Sequence, residues 1–406
     1  MKSVHVPLAA QGLEADDLEI VRKIFESGFH TMGKHVKRFE EEFAKKWGSK
    51  YAVMVNSGSS ANLIALEAII RPSDRSDQVF SVGSYIAVPA VLWPTTLWPI
   101  VQLGFKPLLI DCEPMSLRMD LNQLKQARAD YGKKLIGAIL IHPLGSSLDL
   151  GEITKLQAES DFFIIEDTCE SLGSGNNGKY AGTVGDFGTF SFYFSHHITT
   201  VEGGMVTTND ENKYNDLCSM RAHGWIRNRT DRDQIAATYP EISEDFLFYT
   251  SGFNFRPMEF QGALGLSQLS KIDGFLKTRL QTARKITNSI DTNWIQIFDS
   301  NFFNESQDHI LRNSAMAFPF LLNEALDRDK FRAYLNKQGV DTRPVIAGNF
   351  INQPAAKNKN ISAYGTLENA QRVHKNAFMI GNHHNYTFEQ IDQISSAIKF
   401  SLQQIL

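Results

Sequence analysis

The chain has 406 residues, 42% hydrophobic and 21% charged, with a formal net charge of -4. This length suits one large α/β domain and a smaller companion, at roughly 100 to 200 residues per domain. The mild acidity leaves no basic field or charged tail for nucleic acid, and three dispersed cysteines, Cys112, Cys169 and Cys218, are too few for a disulfide framework.

From the N-terminus, residues 1–8 lack the apolar stretch of a secretory signal, and the expectation is a cytoplasmic protein. Helix formers fill 16–27 and 37–47, and a short apolar run at 51–55 then ends in Asn56-Ser57-Gly58-Ser59-Ser60. The most hydrophobic stretch, 86–105, is punctuated by Pro89, Pro94 and Pro99. It reads as strand, loop and helix rather than as a membrane span. Apolar runs of four to six residues recur at 108–111, 136–141 and 162–167, separated by helical-length pieces. Such alternation predicts an α/β fold with a mostly parallel sheet buried on both faces and functional residues at its strand ends. Beyond about residue 269 come a basic amphipathic stretch at 271–290, a strand at 315–321 and helices at 327–338 and 387–404. We therefore expect a large α/β domain over 14–269 and a small α+β domain over 270–406.

Two strings carry chemistry. Ser57-Gly58-Ser59-Ser60-Ala61-Asn62 follows a strand and opens a helix, so its amides and hydroxyls form an anion site, with Gly58 allowing close backbone approach. Taken alone, the same string is also an ordinary serine N-cap. The second string, Ser191-Phe192-Tyr193-Phe194-Ser195-His196-His197, precedes Glu202-Gly203-Gly204, and no lysine lies between Lys179 and Lys213.

Through these strings, Gly33, Phe39-Glu40, Glu166-Asp167-Thr168-Cys169-Glu170, Gly182-Thr183, Gly185-Asp186 and Gly252-Phe253-Asn254-Phe255-Arg256, the chain resembles the DegT/DnrJ/EryC1/StrS family of sugar aminotransferases along nearly its whole length. The resemblance implies the fold type I architecture, in which residues 1–13 pack with the small domain, and a pyridoxal or pyridoxamine 5'-phosphate cofactor. It gives Gly58, Ser59 and Ser191 to the phosphate, with Asn254 supplied by the neighbouring subunit, hence a homodimer with shared sites. It gives Asp167 to the pyridinium nitrogen, Trp93 to the ring face and Glu170 to the cofactor's surroundings. His196, 29 residues after Asp167, stands where the family carries its cofactor-binding lysine. An imidazole has no primary amine with which to tether the cofactor, yet it moves protons.

His196-His197 before Glu202-Gly203-Gly204, followed by Arg221-Ala222-His223-Gly224-Trp225, is similar to the family's 3-dehydratase branch. That similarity implies removal of the C3 hydroxyl from a GDP-linked 4-keto-6-deoxyhexose, with His196 as acid-base group and L-glutamate restoring the amine form of the cofactor. The branch serves deoxysugar synthesis for lipopolysaccharide. Ser195, His223, Trp225, Arg227, Arg256 and Arg343 are candidate substrate contacts, arginine being suited to a diphosphate by its planar fork; surface solvation is the alternative for each. His197, next to the base, reads as structural.

Three other readings compete. An iron-sulfur 3-dehydrase needs four cysteine thiolates, and only three cysteines exist, so no iron-sulfur cluster is expected. An aminotransferase with an unusual base would instead leave a 4-amino sugar. A non-catalytic binding protein on the same fold would have no reason to keep Asp167, the serines and a titratable group at position 196.

Overall fold

Eight strands form the main sheet, in the order Tyr51–Val55, Gly204–Thr208, Phe187–Ser191, Phe163–Asp167, Leu135–Ile141, Tyr85–Pro89, Lys106–Ile110 and Ser362–Ala363. All neighbours run parallel except at Gly204–Thr208, which is antiparallel to both of its partners. The computed structural model from which this is read describes residues 4–73, 80–158, 161–307, 309–357 and 359–406.

The apolar runs form strands because both faces of the sheet are covered. Ile139, Ile141 and Ile165 join one buried cluster, whereas Ala138, Leu140 and Ile164 join another on the opposite face. Successive side chains of a strand point to opposite faces, so a continuous apolar run satisfies both. The stretch expected as strand, loop and helix is the strand Tyr85–Pro89 followed by the helix Pro94–Gln102, with Pro94 in its first turn. Among the described residues no helix is long and apolar enough to cross a membrane.

A second, antiparallel sheet holds Ile295–Ile297, Ala317–Leu322, Ala377–Gly381 and Thr342–Arg343. Its core includes Phe318, Phe320, Phe331, Phe378 and Ile394, and the helices Arg328–Lys337 and Phe388–Ile405 contribute to it. Residues 1–3 of the N-terminal segment lie outside the described residues. Further on, Val6 bridges to Val340 and Tyr386 donates its hydroxyl to the Pro7 carbonyl, so the segment packs on the C-terminal part.

The helix Glu259–Thr287 begins twelve residues before the amphipathic stretch that announced it and runs unbroken past residue 269. Its first turns are buried against the helix Lys34–Trp47, and glycine makes this possible. A Cβ on Gly262 would sit 2.6 Å from the Val36 Cα, a backbone atom that cannot step aside. On the same helix, Gly274 has nothing within 4 Å of that position. Gly262→Ala is therefore expected to cost about 1 to 3 kcal/mol through overpacking, while Gly274→Ala gains about 0.5 to 1 kcal/mol from helix propensity. Denaturant midpoints of the two variants check the contrast; equal midpoints would contradict it.

Candidate active site

The site is built at the carboxyl ends of the parallel strands, where the chain leaves the sheet. After Tyr51–Val55, Ser57 caps the helix Gly58–Ile70 in an extended conformation, its hydroxyl accepting the Ser60 N–H at 3.1 Å. Ser59 is exposed in the first turn. A Cβ on Gly58 would lie 2.6 Å from the Ser191 Cβ and 3.1 Å from the Cys169 Sγ, so only glycine lets this helix start come so close to Ser191. Free amides and the positive end of the helix dipole make the place fit for a phosphate.

Asp167 ends the strand Phe163–Asp167 and is held from three directions. Its Oδ2 accepts from Asn62 Nδ2 at 2.8 Å and Thr96 Oγ1 at 2.7 Å, and its Oδ1 accepts from the Cys169 N–H at 3.1 Å. Asn62 is itself fixed by Thr189, whose hydroxyl donates to its Oδ1 at 2.6 Å. Glu166, one residue earlier, faces the other way. It accepts from His142 Nε2 at 2.9 Å and from the amides of Gly182, Val184 and Gly185 at 3.0, 2.7 and 2.7 Å. Burial opposes its charge, but His142 and these amides outweigh burial and hold its carboxyl below the usual range.

His196 closes a turn in which its N–H donates to the Tyr193 carbonyl at 3.0 Å. Its Nδ1 lies 3.2 Å from the Ser191 carbonyl oxygen. A carbonyl only accepts, so Nδ1 carries the proton and Nε2 the lone pair. Burial pushes the imidazole down to about 4; the Ser191 carbonyl and Asp167 pull it up, and Arg279 and Arg343 push it further down. Glu170 moves the opposite way. Burial raises it to about 7 against the Leu144 N–H, 3.2 Å from its Oε2, and the charge of Arg343. At neutral pH the pocket thus offers a neutral imidazole and a carboxyl near its midpoint.

A cavity of about 270 Å³ is lined by Gly58, Ser59, Trp93, Asp167, Glu170, Ser191, Ser195, His196 and Arg343, all singled out from the sequence. Trp93 is 58% exposed, an apolar ring standing open at this cavity. Asn62 and Thr96, given no role from sequence, complete the grip on Asp167, and Met316 and Glu202 also line the space. Five expected residues do not line it. Asn254 is exposed beside Ala222, and His223 is exposed with φ 65°. Trp225 stacks with Phe246 and with Phe248, the Arg227 guanidinium lies 5.1 Å from its ring centre, and Arg256 donates to Thr31 Oγ1 at 3.0 Å. His197 is buried, its Nε2 3.2 Å from the Ser314 carbonyl oxygen. Among the described residues no lysine lines the cavity.

This donor set fits a phosphorylated pyridine. The Gly58 cradle and helix start suit the phosphate, the fixed Asp167 suits a protonated ring nitrogen, and Trp93 offers a face to a flat ring. Comparison with known proteins agrees. The chain is 36% identical over 401 residues to the GDP-4-keto-6-deoxy-D-mannose 3-dehydratase of Yersinia pseudotuberculosis, covering 98% of each. It is 33% identical to the protein of that name from Escherichia coli O55:H7, over 98% of this chain and 100% of that one. A crystal structure of GDP-4-keto-6-deoxymannose-3-dehydratase with a trapped PLP-glutamate geminal diamine superposes with a TM-score of 0.85 at 32% identity, over 97% of this chain and all of that one. The DegT/DnrJ/EryC1/StrS aminotransferase family profile matches residues 11–399, and the chain belongs to that family.

Proposed function

We propose that this chain removes the C3 hydroxyl of a nucleotide-linked 4-keto-6-deoxyhexose, GDP-4-keto-6-deoxy-D-mannose, using pyridoxamine phosphate held without a covalent bond, with L-glutamate as the amine donor that restores it. The observation that carries the reading is His196 at the cavity that Asp167 and Ser59 line, with no lysine among the described lining residues. When bound, the cofactor supplies an amine for the sugar's C4 ketone and a ring that accepts electrons.

The protein's own groups do the rest. The Gly58–Ile70 helix start, Ser59 and Ser191 bind the phosphate, and Asn254 of a second copy completes that cup, which makes the working unit a homodimer. Exposure of Asn254 on the single chain supports this part of the reading. Asp167 keeps the ring nitrogen protonated, and Trp93 stacks on the ring. His196 enters as a neutral base, its Nε2 taking the proton from the cofactor's C4' carbon. An imidazolium whose pKa lies near 4 in these surroundings gives its proton up readily, and the departing C3 hydroxyl is the group that needs one. Arg343, at the cavity wall, is placed for the sugar or its diphosphate; His223, Trp225, Arg227 and Arg256, which like Asn254 lie outside this cavity, serve the second copy's substrate. Ser195 adjoins the leaving hydroxyl.

His196→Asn is expected to keep the cofactor bound and to slow dehydration by about 10² to 10⁴-fold, the usual worth of a positioned acid-base group. Ammonia release measured beside cofactor retention tests it, and an undiminished rate would overturn the role. Borohydride treatment of the wild-type holoenzyme is expected to fix no cofactor to the chain, whereas His196→Lys becomes reducible. Mass spectrometry of the reduced proteins decides, and a lysine adduct in the wild type would sink the proposal.

A further inference from the structure

We infer that Arg279 is a positioning residue for His196: one buried guanidinium, donating to three backbone carbonyls from three separate segments, fixes the main chain that carries the base. Arg279 lies in the helix Glu259–Thr287 and heads the largest fully buried side chains, with 0% exposure. Its Nη2 donates to the His196 carbonyl at 3.3 Å. Its Nη1 donates to the Met316 carbonyl at 3.2 Å and also to the Asn382 carbonyl. Met316 lines the catalytic cavity, and Asn382 follows the strand Ala377–Gly381 of the second sheet. Asn382 answers by donating its Nδ2 to the Arg279 and Ala315 carbonyls at 3.1 and 2.7 Å. The catalytic turn is thereby clamped to the second sheet through a planar fork.

The clamp also carries a charge. Among the described residues no carboxylate forms a salt bridge with Arg279, although a buried guanidinium ordinarily takes one. Burial pushes it down to about 10, which leaves it cationic at neutral pH. Around it lie Tyr386, His196, His197, His383 and His384, and burial together with Arg279 lowers all four histidines. Facing His196 from other elements are Asp167 at its strand end and Arg343, and from its own turn the Tyr193 ring, centred 6.0 Å away. Asp167 favours the imidazolium, and Arg279 and Arg343 disfavour it. Arg279 thus serves two ends with one group: it holds the base in place and keeps it unprotonated until a proton is delivered from a carbon acid.

This inference rests on His196 being the base of the proposed dehydration, and its test reads the imidazole directly. In protein carrying ¹³C-labelled histidine, the His196 resonance is assigned by its loss in His196→Asn and titrated in wild type, Arg279→Met and Arg279→Lys. The expectation is a midpoint raised in Arg279→Met and left low in Arg279→Lys, which keeps the charge. Lysine does not reproduce the planar fork. Both variants should therefore lose about tenfold or more in kcat with KM for the sugar nucleotide unchanged, the pattern of a misplaced catalytic group. A His196 midpoint and kcat unchanged in Arg279→Met overturn the inference. Should that variant not fold, an unchanged kcat in Arg279→Lys overturns it equally. A protein that dehydrates nothing but shows the shifted midpoint refutes the proposed reaction and leaves the Arg279 clamp standing.

Discussion

The site depends on the opposed placement of two neighbouring carboxylates at the end of one strand. Glu166 and Asp167 sit on alternate faces of Phe163–Asp167, as any two successive strand residues must. Glu166 draws in His142 and the amides of Gly182, Val184 and Gly185, which pins the chain segment leading into Phe187–Ser191. Asp167 draws in Asn62 and Thr96 from two different helices. One strand end thereby orders the helix Gly58–Ile70, the helix Pro94–Gln102 that Trp93 caps, and the strand that delivers Ser191 and then His196. A one-residue slip of this strand would exchange the two carboxylates and dismantle both networks.

Histidine in place of lysine changes what the fold must supply. A covalent tether makes retention of the cofactor largely independent of the pocket. Without it, retention in the proposed reaction would fall to the helix start, Asp167, Trp93 and Ser191, which line one small cavity. The imidazole also needs a fixed tautomer and a fixed backbone. The Ser191 carbonyl sets the first, and Arg279 sets the second from behind. Protonation of the His196 imidazole is opposed by burial and by two arginines, which leaves it neutral at neutral pH.

How much of this was legible in the sequence follows from how local each interaction is. Ser57 to Asn62, Asp167 and His196 stand beside apolar runs and turns within a few residues, and the runs at 51–55, 136–141 and 162–167 are strands to within a residue. Phe187–Ser191 and Gly204–Thr208 went unread because glycine, threonine and serine interrupt their apolar pattern, and their pairing across the sheet decides them instead. Asn62 and Thr96 were visible as residues but not as partners, since they meet Asp167 across 105 and 71 positions of chain. Arg279 was hidden most completely. In a basic amphipathic stretch an arginine reads as solvated, and only the folded chain reveals three carbonyls waiting for it.

The proposed reaction uses a base that moves protons over an untethered amine and ends by losing the sugar's oxygen rather than keeping the nitrogen. The direct measurement is mass spectrometry of the product from GDP-4-keto-6-deoxy-D-mannose, incubated with the enzyme, pyridoxal phosphate and ¹⁵N-glutamate and no reductase. A 3-deoxy-4-keto sugar without nitrogen, with ¹⁵N released as ammonia, is the expected result. A 4-amino sugar that retains both the ¹⁵N and the C3 hydroxyl would contradict it.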